Sequence, residues 1–229
     1  KIKTVKFTGN LVYSDKRLRK QVKTGWNLFS MLFETGHLKP AELQRDKDRL
    51  RDFYTSRGYL DFHIRSIDEQ IDPKSERVTV VFDVEEGDLY TVGNVTIEGN
   101  TVFDDSEFMP LLQLRPDMTY NSQLESEDTR LIESKYAPKG YYDIRCIAKL
   151  DKDTDQDIVD VTYRVIEGET ASVRDIIVTD NNVTKDEVIR RELSLHPGDP
   201  LSKTDLELSK RRLMNLGYFE TVEIGRAHV

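Results

Sequence analysis

The sequence predicts an α+β fold: a tandem array of units, each running β-α-α-β-β and forming a three-stranded mixed sheet covered by two helices. Three observations predict it. Arg57-Gly58-Tyr59-Leu60-Asp61, Lys139-Gly140-Tyr141-Tyr142-Asp143 and Leu216-Gly217-Tyr218-Phe219-Glu220 repeat the order glycine, tyrosine, bulky apolar residue, acid. Glu86-Gly87 and Glu167-Gly168 are each preceded by four apolar residues in strict alternation, Val78, Val80, Phe82, Val84 and Val159, Val161, Tyr163, Val165. After these glycines come Val92, Val95, Ile97 and Val173, Ile176, Val178, with the spacing that Ile2, Val5 and Phe7 have at the N-terminus. Gly168 follows Gly87 by 81 residues, and self-similarity at a fixed period marks a repeat architecture. The units fall at 1–87, 88–168 and 169–229.

Each unit is predicted to open with a strand, Ile2 to Thr8, Val92 to Glu98 or Val173 to Thr179. These strands close at Gly9-Asn10, Gly99-Asn100 and Asp180-Asn181-Asn182, residues that accept left-handed turn backbone. A first helix follows. Thr184 with Glu187 has capping-box spacing, and Asp104 with Glu107 is a weaker version of it. Second helices run roughly from Pro40, Ser122 and Lys203 to Gly58, Gly140 and Gly217, with Pro40 suited to a first helical turn and the glycines to the position just past the end. Tyr54, Tyr136 and Leu213, four residues before each glycine, face the core. A strand containing the Tyr-apolar-acid motif comes next (Leu60 to Ile67, Tyr141 to Leu150), then a polar turn and the alternating strand. The hairpin is antiparallel, whereas the first strand returns only through helices, so the sheet is mixed with one face covered. The third unit stops near Ile224 without its final strand and is expected to be the least stable; Gly225 to Val229 reads as tail.

Composition narrows the function. Lysine and arginine number 34 against 42 acids, and the resulting net charge of −8 argues against a nucleic-acid binder, which carries a basic face. Hydrophobic residues at 37% and charged ones at 33% suit several small folded units rather than a disordered chain. Cys146 is alone, so neither an intrachain disulfide nor a cysteine-based zinc site can be built. No apolar run approaches the roughly 18 residues of a membrane span. Strand patterns at both ends read as a fragment of a longer protein. His37, His63, His196 and His228 lack metal-site spacing, and no nucleophile, paired-carboxylate or phosphate-loop arrangement predicts an enzyme or a cofactor. Asp151 to Asp157 alternates acids, but Gln156 and Thr162 stand where a calcium loop needs glycine and glutamate, so a hairpin turn is expected.

The tandem β-α-α-β-β unit with its Gly-Tyr-apolar-acid entry and Glu-Gly exit resembles the POTRA domain, the polypeptide-transport-associated module. The resemblance covers nearly the whole chain. Tyr90-Thr-Val-Gly-Asn-Val-Thr-Ile-Glu-Gly-Asn100, Lys185 to Leu193 and Leu213 to Val222 are similar to the last POTRA domains of outer-membrane β-barrel assembly factors. Those proteins carry five such domains in the periplasm before a C-terminal membrane barrel, and the units here would be the third, fourth and most of the fifth. The resemblance implies unfolded outer-membrane proteins and periplasmic lipoproteins as partners. It also places the strand after each Gly-Tyr motif at a sheet edge, where a client could add as a further strand. Leu60, Phe62, Ile64, Tyr141, Ile144 and Ile147 are the client-binding candidates. The charges of Asp61, His63, Arg65, Asp143, Arg145 and Lys149 equally suit an edge that is merely protected. Trp26, Phe29 and Phe33 lie in the most apolar segment, which either packs inside the array or meets a partner. Arg190 and Arg191 are either a solvated helix face or a lipoprotein contact. A related translocation or secretion transporter, or a structural spacer without client binding, are the alternatives.

Overall fold

A computed structural model describes residues 2–23, 33–34, 37–38, 40–73 and 77–225. The first repeat opens with β1 (Ile2–Thr8), a single helical turn α1 (Asp15–Leu18), a two-residue hairpin of β2 (Phe33–Glu34) and β3 (His37–Leu38), and the helix α2 (Pro40–Thr55). β4 (His63–Asp72) and β5 (Arg77–Glu85) complete it. The second repeat has β6 (Thr91–Glu98), a 3-10 turn (Asp105–Glu107), α3 (Ser122–Tyr136), β7 (Arg145–Asp153) and β8 (Ile158–Ile166). The third contributes α4 (Asp186–Glu192) and α5 (Lys203–Asn215). The chain groups into two compact units, one of Lys1–Val95, Gln113–Glu127 and Leu150–Val161, the other of Thr96–Leu112, Asp128–Lys149 and Thr162–Val229.

The two complete repeats have the mixed sheets their connectivity dictates. In the first the strand order is β1-β5-β4, and in the second β6-β8-β7. β5 is central, parallel to β1 with Val5 opposite Val80 and Phe7 opposite Phe82, and antiparallel to β4 with Ile67 opposite Phe82. The alternation read from the sequence is the covered face. Val78, Val80, Phe82 and Val84 are buried with Val5, Phe7, Leu18, Leu50 and Phe53 in one cluster, and Val159, Val161, Tyr163 and Val165 are buried in the second repeat. Fully burying such a side chain contributes roughly 1.5–3 kcal/mol. The second helices begin at Pro40, Ser122 and Lys203 as expected, and Tyr54, Tyr136 and Leu213 are buried.

Three local expectations are corrected. The strands after the Gly-Tyr motif begin later, at His63 and Arg145 rather than Leu60 and Tyr141. Gly58 and Gly140 adopt left-handed backbone, and the motif itself turns, with Phe62 N donating to Tyr59 O and Ile144 N to Tyr141 O, both at 3.4 Å. Among the first helices, the Asp104–Glu107 capping box is the one that forms. Thr184 makes none, because the cap position falls on Lys185, whose side chain offers no acceptor. Finally, residues 173–179 form no strand; Val173 bonds to Gly198 and Asp199, and the Ile176 carbonyl accepts from Arg190. β1 and β6 are each held by the last strand of their own repeat, and no such strand follows α5 among the described residues. From residue 169 onward the buried apolar side chains are Val173, Ile189, Leu195 and Leu213 among the described residues, a small core for a segment with no sheet.

Successive repeats are joined by the same four backbone bonds. Gly58 O accepts from Tyr90 N (3.0 Å), Tyr90 O from Tyr120 N (3.0 Å), Met118 O from Val92 N (2.7 Å) and Val92 O from Asp117 N (2.9 Å). One repeat later, Gly140 O accepts from Ala171 N, Ala171 O from Leu201 N, Asp199 O from Val173 N and Val173 O from Gly198 N, at 2.7–2.8 Å. The residue leaving one repeat thus becomes a miniature strand clasped between the helix end behind it and the loop ahead.

Candidate functional site

β4 and β7 each pair on one side only within their sheets, so each presents a row of backbone groups along an open edge. The residues named from the sequence divide around these edges. Ile64 stands in β4, half-buried against the core, and Ile147 stands in β7, 52% exposed. Leu60, Phe62, Tyr141 and Ile144 precede the strands in the Gly-Tyr turns. Phe62 is a core residue stacked on Tyr54 at 4.1 Å, Ile144 is buried, and Tyr141 meets Tyr136 edge-on at 5.5 Å. Turn formation after the left-handed glycine is why Phe62 and Ile144 point inward, while Leu60 and Tyr141 are half-buried. Trp26 and Phe29 lie outside the described residues; Phe33 pairs with Leu38 in the β2-β3 hairpin.

The edges are defended differently. On β4 the register shifts between Ile64 and Ser66, and His63 (3.1 Å) and Arg65 (2.9 Å) converge on Glu85 of β5. A bulge together with charge interrupts an otherwise regular edge. On β7, Arg145 and Lys149 are exposed without an ion pair among the described residues. A different device covers its start: the amide of Cys146 donates to Glu133 of α3 at 2.9 Å. That amide therefore points away from β8, and the two-residue period of a strand aims the amides of Ala148 and Leu150 the same way. Asp143 is exposed in the turn, while Asp61 is held by the Tyr90 hydroxyl (2.7 Å) and Lys152. The Lys152 bond, with that of Tyr90, keeps the Asp61 carboxyl below the usual range, and the Asp61 bond chiefly pushes Tyr90 up to about 12. Arg190 is engaged within its own repeat by Asp186 (2.7 Å) and the Ile176 carbonyl (3.0 Å), whereas Arg191 is exposed beside Glu192 at 3.4 Å. Of the stretch Asp151 to Asp157 expected as a turn, residues 151–153 still belong to β7 and 154–157 form the β7-β8 turn, capped by Asp153, which accepts from the amides of Asp155 and Gln156.

Sequence reasoning saw the Glu-Gly landmark without its function. Glu86 accepts from the amides of Leu11 (2.7 Å) and Val12 (2.8 Å) and from the Tyr54 hydroxyl (2.7 Å). Glu167 accepts from the amide of Val102 (2.9 Å), the Thr101 hydroxyl (2.5 Å) and the Tyr136 hydroxyl (2.9 Å). Each glutamate thus fastens the loop after the first strand to the second helix. The signal was present in the matched separations, 32 residues from Tyr54 to Glu86 and 31 from Tyr136 to Glu167. Burial raises the pKa of Glu167, but the bonds from Thr101, Val102 and Tyr136 together outweigh it and leave the group below its ordinary value. A depressed carboxyl contributes stability that is complete above its unfolded pKa and is lost as pH falls through the folded one. Urea unfolding of the second repeat is therefore expected to weaken below about pH 4.5, and Glu167→Gln should flatten that acid limb. An unchanged limb would refute the assignment.

These features define the class of the protein. The family model described as POTRA, surface antigen variable number repeat, matches residues 1–87, 90–168 and 171–227, and the chain belongs to that family. Within it, the chain is similar to the outer membrane protein assembly factor BamA of Neisseria meningitidis, 31% identical over 97% of the chain, and to a putative outer membrane protein assembly factor of Treponema pallidum, 30% identical over 96%. It spans 28% and 26% of the length of those two relatives. The crystal structure of POTRA3-5 of Haemophilus influenzae BamA matches with a TM-score of 0.79 and 27% identity, covering 97% of this chain and 88% of that one. Among the described residues no helix is long and apolar enough to cross a membrane.

Proposed function

We propose that the chain is the periplasmic part of an outer-membrane protein assembly factor, with POTRA domains at 1–87, 88–168 and 169–229, that binds unfolded β-barrel precursors by strand addition. The reading is carried by the two open edges, β4 and β7, each left at the margin of its sheet by the same topology. Main-chain hydrogen bonds supply affinity with little demand on side-chain identity, which suits a receptor for many clients. β7 is the better edge, since among the described residues no side chain caps the amides of Ala148 and Leu150 as Glu133 caps that of Cys146. Accessory lipoproteins dock elsewhere, with Arg191 and the segment holding Trp26 and Phe29 as the points of contact, and a membrane barrel follows in the complete protein. No residue is asked to do chemistry.

The rival reading, a spacer without client binding, is favoured by the bulge and paired charges on β4 and by the Glu133 carboxylate on β7. Amide NMR mapping separates the two. Titration with an extended peptide from the C-terminal strand of an outer-membrane barrel, against a scrambled control, should shift Arg145–Asp153 most. Ala148→Pro deletes an outward N–H at an edge position where proline is tolerated, and should abolish the shifts while leaving the fold intact. Glu133→Ala should raise affinity severalfold by freeing the Cys146 amide. No shifts at millimolar peptide would leave the spacer.

A further inference from the structure

We propose that Arg17 and Arg57 form an anion site in the first repeat that takes a carboxylate from an acidic segment of a partner polypeptide. The first two repeats correspond residue by residue at this place. Asn10 Nδ2 donates to Tyr13 O and Asp15 Oδ1, as Asn100 Nδ2 does to Phe103 O and Asp105 Oδ1, so Tyr13 matches Phe103 and Arg17 matches Glu107. Counting back from Gly58 and Gly140, Phe53 matches Lys135 and Arg57 matches Lys139.

The second repeat closes its own charge balance at this place. Lys135 Nζ lies 5.2 Å from the Phe103 ring centre and 5.0 Å from that of Phe108, and Lys139 Nζ lies 4.9 Å from Phe103. Glu107 answers Lys135 at 3.1 Å. In the first repeat Arg57 keeps the cation of Lys139, Phe53 stands in place of Lys135, and Arg17 stands where the second repeat has the Glu107 carboxylate. Arg17 Cζ sits 4.9 Å from the Tyr13 ring centre and 5.7 Å from that of Phe53, and Arg57 Cζ sits 4.0 Å from Phe53. Neither arginine has an ion pair among the described residues. Arg57 Nη1 donates to Phe53 O (2.7 Å) and Ser56 Oγ (2.9 Å), which fixes the guanidinium over the ring and leaves its Nε and Nη2 without a bond among the described residues.

Both guanidiniums lie near the one Phe53 ring, Arg17 exposed and Arg57 half-buried, and guanidinium donors of this kind suit a planar carboxylate. At the corresponding place in the second repeat the protein carboxylate of Glu107 reaches a lysine held on the aromatic rings, which favours a polypeptide acid over a lipid phosphate as the occupant. The surrounding stretch adds attraction: Lys16, Lys20 and Lys23 are exposed in a chain whose net charge is −8. This surface is separate from the strand edges, and the proposal does not depend on client binding there.

Calorimetric titration of the chain with amidated hexaglutamate at low salt tests it, alongside phosphatidylcholine vesicles with and without phosphatidylglycerol. Arg17→Glu installs the residue type of the second repeat and should weaken peptide binding about tenfold or more, the scale of one charge-assisted bond. Arg57→Ala should do the same, and Arg17→Gln serves if the reversal disturbs folding. Lys20→Ala and Lys23→Ala should stay within about twofold, as expected for screened surface charge. Equal losses from the lysine variants would reduce the site to diffuse attraction and overturn the proposal. So would absence of peptide binding, or vesicle binding that depends on Arg17 while the peptide fails to bind.

Discussion

Glu86→Ala is expected to cost about 2–4 kcal/mol of stability, because it strands groups of unequal tolerance. The amides of Leu11 and Val12 belong to exposed residues and can turn to water. The Tyr54 hydroxyl cannot, since Tyr54 is 0% exposed, walled in by Phe53, Tyr59 and the stacked ring of Phe62. Burial, and after it the bond to Glu86, drives the Tyr54 pKa far above its ordinary value, so the hydroxyl is a proton donor at every working pH. Loss of the carboxylate leaves that donor buried without an acceptor and cuts the tie between the loop after β1 and α2. Urea unfolding should show a lower midpoint with an unchanged slope. Glu86→Gln, which keeps one acceptor oxygen but turns an amino group toward a loop amide, should fall between wild type and alanine. A loss below about 0.5 kcal/mol for the alanine variant, the size of an ordinary surface change, would mean that the carboxylate is not what holds the loop.

The same pair of residues shows where sequence reasoning reaches and where it stops. Period-2 alternation located β5 and β8, because a strand with one covered face must alternate. Helix-starting Pro40 and the glycines after α2 and α3 located the second helices, because backbone conformation restricts which residues stand at helix ends. What depends on residues far apart in the chain was not legible. Tyr54 read as a core residue and Glu86 as half of the Glu-Gly strand exit, and only the folded sheet brings them to 2.7 Å. The start of each edge strand was misjudged because Phe62 and Ile144 are apolar residues in a strand-like pattern, yet they follow a left-handed glycine that sends the chain through a turn first. The strand expected at residues 173–179 failed for a third reason. Its pattern matches β1 and β6, but a strand exists only through its partner, and Val173 finds one only in the junction loop.

Gly140→Ala should cost about 2–4 kcal/mol, with Gly217→Ala as its internal control. Both glycines end second helices in left-handed backbone, with φ of 81° and 68°, so both substitutions incur the roughly 1–2 kcal/mol steric cost of that conformation. They differ in what the new methyl meets. At Gly140 an added Cβ would lie 2.7 Å from the carbonyl oxygen of Ala171 and 3.3 Å from Pro200; at Gly217 it meets nothing within 4 Å. Gly140 cannot yield without moving its own carbonyl, which accepts from Ala171 N at 2.8 Å, and Ala171 is in turn bonded to Leu201. The clash is therefore placed on the clasp that carries one repeat into the next. Hydrogen exchange should show the Ala171 and Leu201 amides losing protection in Gly140→Ala and keeping it in Gly217→Ala, with urea unfolding ranking the two variants in the same order. Equal costs, with protection at Ala171 and Leu201 unchanged in both, would mean that the junction accommodates the methyl by bending. The clasp would then be a flexible tether, and β7 would not be held in any fixed position relative to the third repeat.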